Sequence, residues 1–289
     1  MEYRFRILNV FANQRLGGNP LCVFEDGRGL SDEDMQALAL QFNLSETVFI
    51  LPSDQANARM RIFTTGYEMP FAGHPTLGTA HVVRSLQQTG ERLRLECKAG
   101  IVEVSAQGDV WTLKAPAERV HTHPCVLSRE DIAQMLGLDV LDLLDEPLWV
   151  DTGTDQLCIP LRSHEAVDRA SPNASLLHQW PMSSLARKTA YIFAWDDATQ
   201  SASGRLAFKS RYFFTKQGGG IEEDPGTGSA CANLGGWWIT KNYPLPLSAE
   251  VAQGDHVKRP CQLLLDVGLD AAIRVGGRVM TLGAGVIEL

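Results

Sequence analysis

Two glycine-rich segments carry polar side chains that could move protons or hold an anion. They are Gly73-His74-Pro75 and Asp224-Pro225-Gly226-Thr227-Gly228-Ser229. Proline followed by small residues is typical of a helix start, where unpaired N–H groups and a partial positive charge favour an anionic ligand. The simplest such ligand is a carboxylate. The alternative is that two helices rich in small residues only pack tightly inside their sheets.

Three titratable side chains are candidates for acid–base chemistry. His74 and Asp224 could pass protons or orient a substrate amine, because histidine titrates near neutral pH and a carboxylate accepts hydrogen bonds. Each also has a structural explanation: Asp224 suits an N-cap, and His74 suits a cap or a buried imidazole. Glu46 stands at the entry to an apolar strand, where partial burial would suit a general acid or base. The sequence alone nevertheless favours an exposed loop glutamate at position 46.

An internal similarity connects the two glycine-rich segments. Residues 61–80 align without gaps on residues 211–230, with six identities in twenty positions. This match places His74 at the position of Asp224. Each copy predicts a strand, a loop and a helix of small residues, so we expect two related halves with both helix starts facing one site. Chance similarity is the alternative.

The elements around these segments indicate an α+β protein, because short alternating strands surround a few helices. Ser31 with Asp34 predicts a helix start. The boundary between the halves is expected at Ala115-Pro116. The first half is then 1–115, joined by the C-terminal strand 278–289, and the second half is 116–277. Further helices are predicted at Pro75–Leu86, Arg129–Leu136 and Pro225–Ile239.

Composition and charge exclude several classes of protein. The 289 residues are 44% hydrophobic and 21% charged, as in ordinary globular proteins. The net charge is −8 and no basic block stands out, so we expect no nucleic-acid partner. No apolar run approaches the ~18 residues of a membrane helix, and the N-terminal residues do not resemble a signal peptide. We therefore expect a cytoplasmic protein without membrane contact.

No spacing of cysteine or histidine predicts a metal site. The six cysteines form no C-x-x-C pair, so free, buried thiols are expected. His121 and His123 are interpreted as part of a surface loop before Pro124. Gly73-x4-Gly78 has no phosphate-loop lysine, and acidic residues that would repel phosphate follow Gly218-Gly219-Gly220. We expect no metal, nucleotide or other cofactor.

Several motifs, in order along the chain, resemble those of the PhzF-like (phenazine biosynthesis-like) family, within the diaminopimelate-epimerase fold. They extend over nearly the whole sequence. The motifs are Gly18-Asn19-Pro20-Leu21, Asn43-Leu44-Ser45-Glu46-Thr47, the stretches 70–78 and 223–230, Gln253-Gly254 with Arg259-Pro260, and Val275-Gly276-Gly277.

The resemblance implies a fold and a reaction. Each of two pseudo-symmetric halves would be a β-sheet wrapped around a central α-helix, with the active site between them, in a homodimer without cofactor. The phenazine enzyme isomerises an unsaturated cyclic amino acid by moving a proton between carbons. Its acid/base glutamate falls on Glu46, and its supporting residues fall on His74, Asp224 and Ser229.

We therefore expect a cofactor-independent isomerase acting on a small carboxylate-bearing substrate. Ser229 and the backbone N–H groups near Gly73 and Gly228 would hold the carboxylate, and Thr227 belongs to the same binding set. One alternative is a racemase or epimerase of an amino or hydroxy acid. Such enzymes of this fold carry a cysteine at each helix start, whereas Cys231 lies beyond Ser229. The other alternative is a non-catalytic small-molecule binder on the same scaffold.

Overall fold

The computed structural model describes residues 1–116, 119–215 and 219–289, without the side chains of 197–199. Gly218, in the glycine-rich stretch considered above, lies outside the described residues. The chain divides into two compact units. Unit 1 comprises residues 1–114 and 276–289, and unit 2 comprises residues 115–275. In the described part of the chain, no helix has both the length and the apolar composition needed to cross a membrane.

Unit 1 combines strands with two helices, and strands and helices are numbered here in chain order along the whole protein. Its helices are α1 (Asp32–Phe42) and α2 (Gly73–Gln87). Its strands are β1 (Glu2–Val10), β2 (Asn19–Phe24), β3 (Glu46–Leu51), β4 (Ala58–Phe63), β5 (Glu68–Met69), β6 (Arg92–Cys97), β7 (Gly100–Gln107), β8 (Val110–Lys114) and most of β17 (Ile273–Glu288).

The strand registers of unit 1 place Glu46 next to β2, the strand on which helix α2 packs. Strand β1 pairs antiparallel with β2 and β17, and β2 pairs parallel with β3 so that Leu21 lies beside Glu46. Helix α2 packs closely on β2, because a Cβ on Gly78 would lie 2.4 Å from Leu21 Cδ2. The tight packing proposed for small residues is therefore present at Gly78.

Unit 2 also combines strands with helices. Its α-helices are α3 (Arg129–Leu136), α4 (His164–Arg169) and α5 (Gly228–Thr240). Its strands are β9 (His121–Pro124), β10 (Leu148–Asp151), β11 (Asp155–Pro160), β12 (Thr189–Gln200), β13 (Leu206–Thr215), β14 (Ile221–Asp224), β15 (Leu247–Gln253) and β16 (Cys261–Val267).

Helix α5 is buried among the strands of unit 2. A Cβ on Gly236 would lie 2.9 Å from side-chain atoms of Thr152 and Val150, so only glycine permits this approach. On the same helix, Trp237 packs edge-on against Trp195, with ring centroids 5.7 Å apart. The tryptophans of α5 therefore belong to the core, where aromatic pairs add to the burial energy.

Several predicted elements are confirmed and others need correction. Ser31 caps α1 through a reciprocal capping box with Asp34, and α3 has the predicted bounds. Helix α2 begins two residues earlier than predicted, so Pro75 lies inside its first turn. Helix α5 begins at Gly228, so the prediction that Pro225 starts it is wrong. His121 and His123 are exposed as expected, but they lie in strand β9 instead of a loop.

The ungapped internal match fails in the turn of a hairpin. Strands β4 and β5 pair Phe63 with Glu68, five positions later, whereas β13 and β14 pair Phe213 with Glu223, ten positions later. The second hairpin is thus five residues longer, and each return strand is followed by its helix. The second helical residue is therefore His74 in α2 and Ser229 in α5. The positional match of His74 with Asp224 is wrong.

Candidate active site

Each unit holds its hairpin with a bidentate arginine–carboxylate pair. In unit 1, Arg61 Nε and Nη2 lie 2.9 and 2.8 Å from the two carboxylate oxygens of Glu68. In unit 2, Arg211 Nε and Nη2 lie 3.1 and 2.8 Å from those of Glu223. Planar guanidinium groups suit this geometry, and the pairs fix the strands that lead to the two helix starts.

Glu46 and His74 contact each other inside unit 1. Glu46 Oε2 lies 3.3 Å from His74 Nε2, and the side chains are only 15% and 8% exposed. Glu46 begins β3, and His74 is the second residue of α2. The exposed-loop interpretation of Glu46 is therefore wrong. The structure brings together these two residues from distant sequence motifs.

His74 is a neutral imidazole. Burial lowers the pKa of His74 to about 3, although its hydrogen bond to the Pro20 backbone acts in the opposite direction. Proline has no backbone N–H, so the ring donates to the Pro20 carbonyl. A neutral imidazole has a single proton to donate. The nitrogen facing Glu46 then carries no proton, so it can only accept a hydrogen bond, and the neutral ring supplies no positive charge to hold the Glu46 carboxylate ionised.

Unit 2 has no titratable side chain at the position equivalent to Glu46. Glu46 and Thr189 each immediately precede the strand residue that pairs with the aromatic residue of the internal match, Phe63 in β4 and Phe213 in β13. A threonine hydroxyl does not titrate near neutral pH. The acid–base equipment of the two units therefore differs at this register position.

Asp224 and Thr227 lie together at the end of β14, before α5. Thr227 Oγ1 donates a hydrogen bond to Asp224 Oδ2. Gln253 Nε2 lies 2.9 Å from the Asp224 carbonyl oxygen and 3.1 Å from Thr227 Oγ1. Asp224 is thus not the side-chain N-cap of α5, whose N-cap residue is Thr227. Asp224 is partly exposed, and its carboxylate accepts the hydrogen bond from Thr227.

Ser229 is held by a buried glutamine. Gln156 Nε2 lies 2.9 Å from Ser229 Oγ, and Gln156 Oε1 accepts from Asn233 Nδ2 at 2.8 Å. Gln156 and Asn233 are 4% and 0% exposed, respectively, whereas Ser229 is half-buried. A network of buried amides therefore fixes a hydroxyl at the start of α5.

The two helix starts leave their first N–H groups without a side-chain cap. Ala72, the N-cap of α2, has no polar side chain, and the Thr227 hydroxyl is directed to Asp224. No described atom lies within 4 Å of the position that a Cβ on Gly73 would take. Gly73 and Gly228 are the first helical residues, so an anion could approach the backbone at either start.

Cys231 and His81 have structural roles. Cys231 is fully buried, and burial raises the pKa of its thiol. His81 is half-buried, with its ring nitrogens 3.3 Å from Trp111 Nε1 and from Thr281 Oγ1. All six cysteines are free thiols, as predicted, and five are buried. Among the described residues, no group of three or more His, Cys, Asp or Glu side chains could hold a metal ion.

A family model of phenazine biosynthesis-like proteins, PhzC-PhzF, matches residues 8–287. The chain belongs to this family. An uncharacterized isomerase of Pasteurella multocida is 38% identical over 289 residues, which are 98% of this chain and 93% of that protein. The trans-2,3-dihydro-3-hydroxyanthranilate isomerase of Pseudomonas aeruginosa is 30% identical over 268 residues, 90% of this chain and 89% of that protein. The chain is an isomerase.

The solved structures show the same fold. A crystal structure of a PhzF-family protein from Bacillus anthracis matches with a TM-score of 0.86 at 24% identity and covers 100% of both chains. The predicted α+β fold class is thereby confirmed. The pseudo-symmetric relation of the halves, the homodimer and the roles of the site residues stay predictions.

Sequence reasoning missed the amides that support the site residues. Gln156 and Asn233 were not predicted, and Gln253 was noted only as part of a motif. One signal was present, because Gln156 stands in a buried strand beside Leu157 and Cys158. A buried amide requires partners for its hydrogen-bonding groups, so such a residue points to a network.

Proposed function

We propose that this PhzF-family isomerase moves a proton between two carbons of a small, amino acid-like substrate that bears a carboxylate, without a cofactor. The observation that carries the proposal is the buried contact of 3.3 Å between Glu46 Oε2 and His74 Nε2. A shielded carboxyl group next to a neutral imidazole can both take and return a proton, which is the requirement for general acid–base catalysis.

Glu46 is the proton carrier in this proposal. As a carboxylate it removes a proton from one carbon, the electron pair of that C–H bond shifts the carbon–carbon double bond, and the proton returns at another carbon. Atoms and electrons balance within the substrate, so the reaction consumes no oxidant or reductant. His74 orients the carboxyl group, and its neutral ring does not stabilise the carboxylate as an imidazolium would.

The polar groups of unit 2 hold the substrate in this proposal. Ser229 and the backbone N–H groups at Gly228 bind the carboxylate. Asp224, fixed by Thr227, accepts a hydrogen bond from the substrate amine. Such groups position the substrate and stabilise charge that develops during proton transfer.

A racemase with two proton carriers is less well supported. Thr189 stands at the position equivalent to Glu46, and Cys231 is a buried thiol whose pKa is raised by burial. One carrier favours proton return without inversion, whereas racemisation requires proton donors and acceptors on both faces of the substrate.

The test is NMR-monitored incubation in D₂O with trans-2,3-dihydro-3-hydroxyanthranilate, the substrate named for a relative, and with a panel of unsaturated cyclic amino acids. We expect one of them to show a shifted double bond and deuterium at a carbon. Inversion of a stereocentre with deuterium incorporation would instead show a racemase. Saturable binding without exchange in any compound would show a binder and would contradict the proposal.

A further inference from the structure

The hydrogen-bond network at Ser229 has a direction that two backbone groups of unit 2 determine. The Thr152 N–H donates to Asn233 Oδ1 at 2.9 Å, and a backbone N–H can only donate. Asn233 Nδ2 donates to the Thr154 carbonyl at 2.8 Å, and a carbonyl can only accept. The two ends of the Asn233 amide are therefore distinguished independently, and its orientation is fixed.

The fixed Asn233 amide determines the orientation of the next one. Asn233 Nδ2 donates to the atom of Gln156 that lies 2.8 Å away, which must be Oε1. Gln156 Nε2 consequently faces Ser229 Oγ at 2.9 Å, and it has only protons to give. Ser229 therefore accepts this hydrogen bond, and its own proton is directed to a different acceptor.

A second network fixes the opposite role at Asp224. Gln253 Nε2 donates to the Asp224 carbonyl at 2.9 Å, and Gln253 Oε1 lies 3.5 Å from the Thr227 backbone nitrogen. The same Nε2 donates to Thr227 Oγ1 at 3.1 Å. The Thr227 hydroxyl therefore gives its proton to Asp224 Oδ2, so that Asp224 functions as an acceptor.

Burial makes these directions costly to reverse. The three amide side chains of Gln156, Asn233 and Gln253 are 4%, 0% and 1% exposed. Turning any one of them would place two donors or two acceptors face to face without water to separate them. A buried polar group that loses its partner is strongly penalised.

We propose that Gln156 and Gln253 are positioning residues that give the start of α5 a fixed hydrogen-bond polarity, with Ser229 as a donor and Asp224 as an acceptor. The matching substrate presents an acceptor, such as a carboxylate oxygen, to Ser229 and a donor, such as an amine, to Asp224. The assignment of these groups to a substrate rests on the proposed function, whereas the polarity rests on the two networks alone.

The polarity is tested directly by neutron diffraction from crystals of the whole protein exchanged into D₂O. We expect both deuterons of the Gln156 amide on the nitrogen facing Ser229, and the Ser229 deuteron pointing away from Gln156. A Ser229 deuteron pointing at Gln156, or a Thr227 deuteron pointing away from Asp224, would overturn the inference. This result does not depend on turnover, so it stands apart from failure of the proposed function.

The consequence for binding is tested with benzoate, a small carboxylate probe, followed by NMR shifts of the Gly228 and Ser229 amides. Gln156→Glu keeps the bond from Asn233 but presents an acceptor to Ser229, which must then donate to it. We expect benzoate affinity to fall about 10- to 100-fold, the value of a hydrogen bond to a charged group, in Gln156→Glu and in Ser229→Ala alike.

The double variant separates loss of the donor from repulsion by the new charge. If Gln156→Glu captures the Ser229 proton, adding Ser229→Ala lowers affinity little further. Additive losses in the double variant would show simple charge repulsion and would contradict the inference. Absence of saturable benzoate shifts in the wild-type protein would likewise contradict a carboxylate-directed donor at Ser229. If Gln156→Glu does not fold, the neutron result decides.

Discussion

The hairpins that lead into α2 and α5 each contain an arginine–glutamate pair, but their turns differ in length. The paired residues are Phe63 and Glu68 in unit 1 and Phe213 and Glu223 in unit 2, so the turn in unit 2 is five residues longer. In both units the helix begins five residues after the glutamate. In unit 1 the second helical residue is His74, which contacts the carboxyl group of Glu46. In unit 2 it is Ser229, which contacts the amide of Gln156.

Similar hairpins therefore support two kinds of polar site. In unit 1 the carboxyl group of Glu46 can take up and release a proton, whereas the network in unit 2 consists of neutral amides with fixed directions. At the register position of Glu46, unit 2 has Thr189. The polar groups of unit 1 are therefore suited to proton transfer, and those of unit 2 are suited to binding a carboxylate.

The largest expected effect on stability concerns the two arginines. Arg211 and Glu223 are each 9% exposed, and Arg211 Nη1 also donates to the Ala170 carbonyl at 2.6 Å. Arg211→Met leaves Glu223 as a buried, unpaired charge, so we expect a loss of about 3–5 kcal/mol in the free energy of unfolding. Urea denaturation measures it.

Arg61→Met is the matched control in unit 1. Glu68 is 21% exposed and the second partner, Asp32, is 76% exposed, so water can solvate both after the substitution. We expect a loss of about 1–2 kcal/mol, closer to the value of a partly exposed pair. Equal losses in the two variants would contradict the distinction between the hairpins.

The next effect is the contribution of His74, in unit 1, to the pH dependence of stability. The folded pKa of His74, about 3, lies below the unfolded value of about 6.5, so the unfolded chain binds a proton first as the pH falls. Stability is therefore lost between pH 6.5 and 3. The loss between pH 7 and 4.5 is about 2–3 kcal/mol.

His74→Gln removes this contribution, because glutamine does not titrate. Urea denaturation at several pH values should show a shallower decline below pH 6.5 in the variant than in the wild-type protein. Ser229→Ala, at the corresponding position of α5, serves as a control and should leave the slope unchanged. Parallel curves for wild type and His74→Gln would mean that His74 is not a buried neutral imidazole.

The smallest effects separate packing from ligand access within α2. A Cβ on Gly78 would lie 2.4 Å from Leu21 Cδ2 and 3.2 Å from Val10 Cγ2. Gly78→Ala should cost about 1–2 kcal/mol through overpacking. Gly73→Ala meets no described atom within 4 Å and should change stability by less than about 0.5 kcal/mol. Thermal denaturation compares the stability of the two variants. A larger loss for Gly73→Ala than for Gly78→Ala would contradict the assignment of close packing to Gly78 and open space to Gly73.

Local patterns predicted much of the fold. The capping box at Ser31 and the helix at Arg129–Leu136 depend on near neighbours in the sequence, so both could be predicted from it. The start of α5 could not be placed in this way. Proline is common at the first position of a helix, yet Pro225 lies before the first residue of α5, Gly228. The residues that precede α5 are placed by the pairing of β13 with β14, and a local sequence pattern does not contain this register.

The site was predicted as a set of residues but not as contacts. Glu46 and His74 came from motifs, and the sequence alone favoured an exposed Glu46. Only the parallel pairing of β2 with β3 and the contact with His74 show that Glu46 lies beside the start of α2. The amides of Gln156, Asn233 and Gln253 were missed because their function depends on hydrogen-bond direction, which composition and spacing do not reveal.

Proton transfer by Glu46 is tested most directly by the turnover of Glu46→Gln at saturating substrate, with substrate affinity measured in parallel. Glutamine retains the shape and polarity of the side chain but cannot carry the proton. We predict that kcat falls about 10²- to 10⁴-fold, the usual contribution of general acid–base catalysis, and that affinity changes little. Near-normal turnover and deuterium exchange in this variant would contradict the assignment of proton transfer to Glu46 in unit 1.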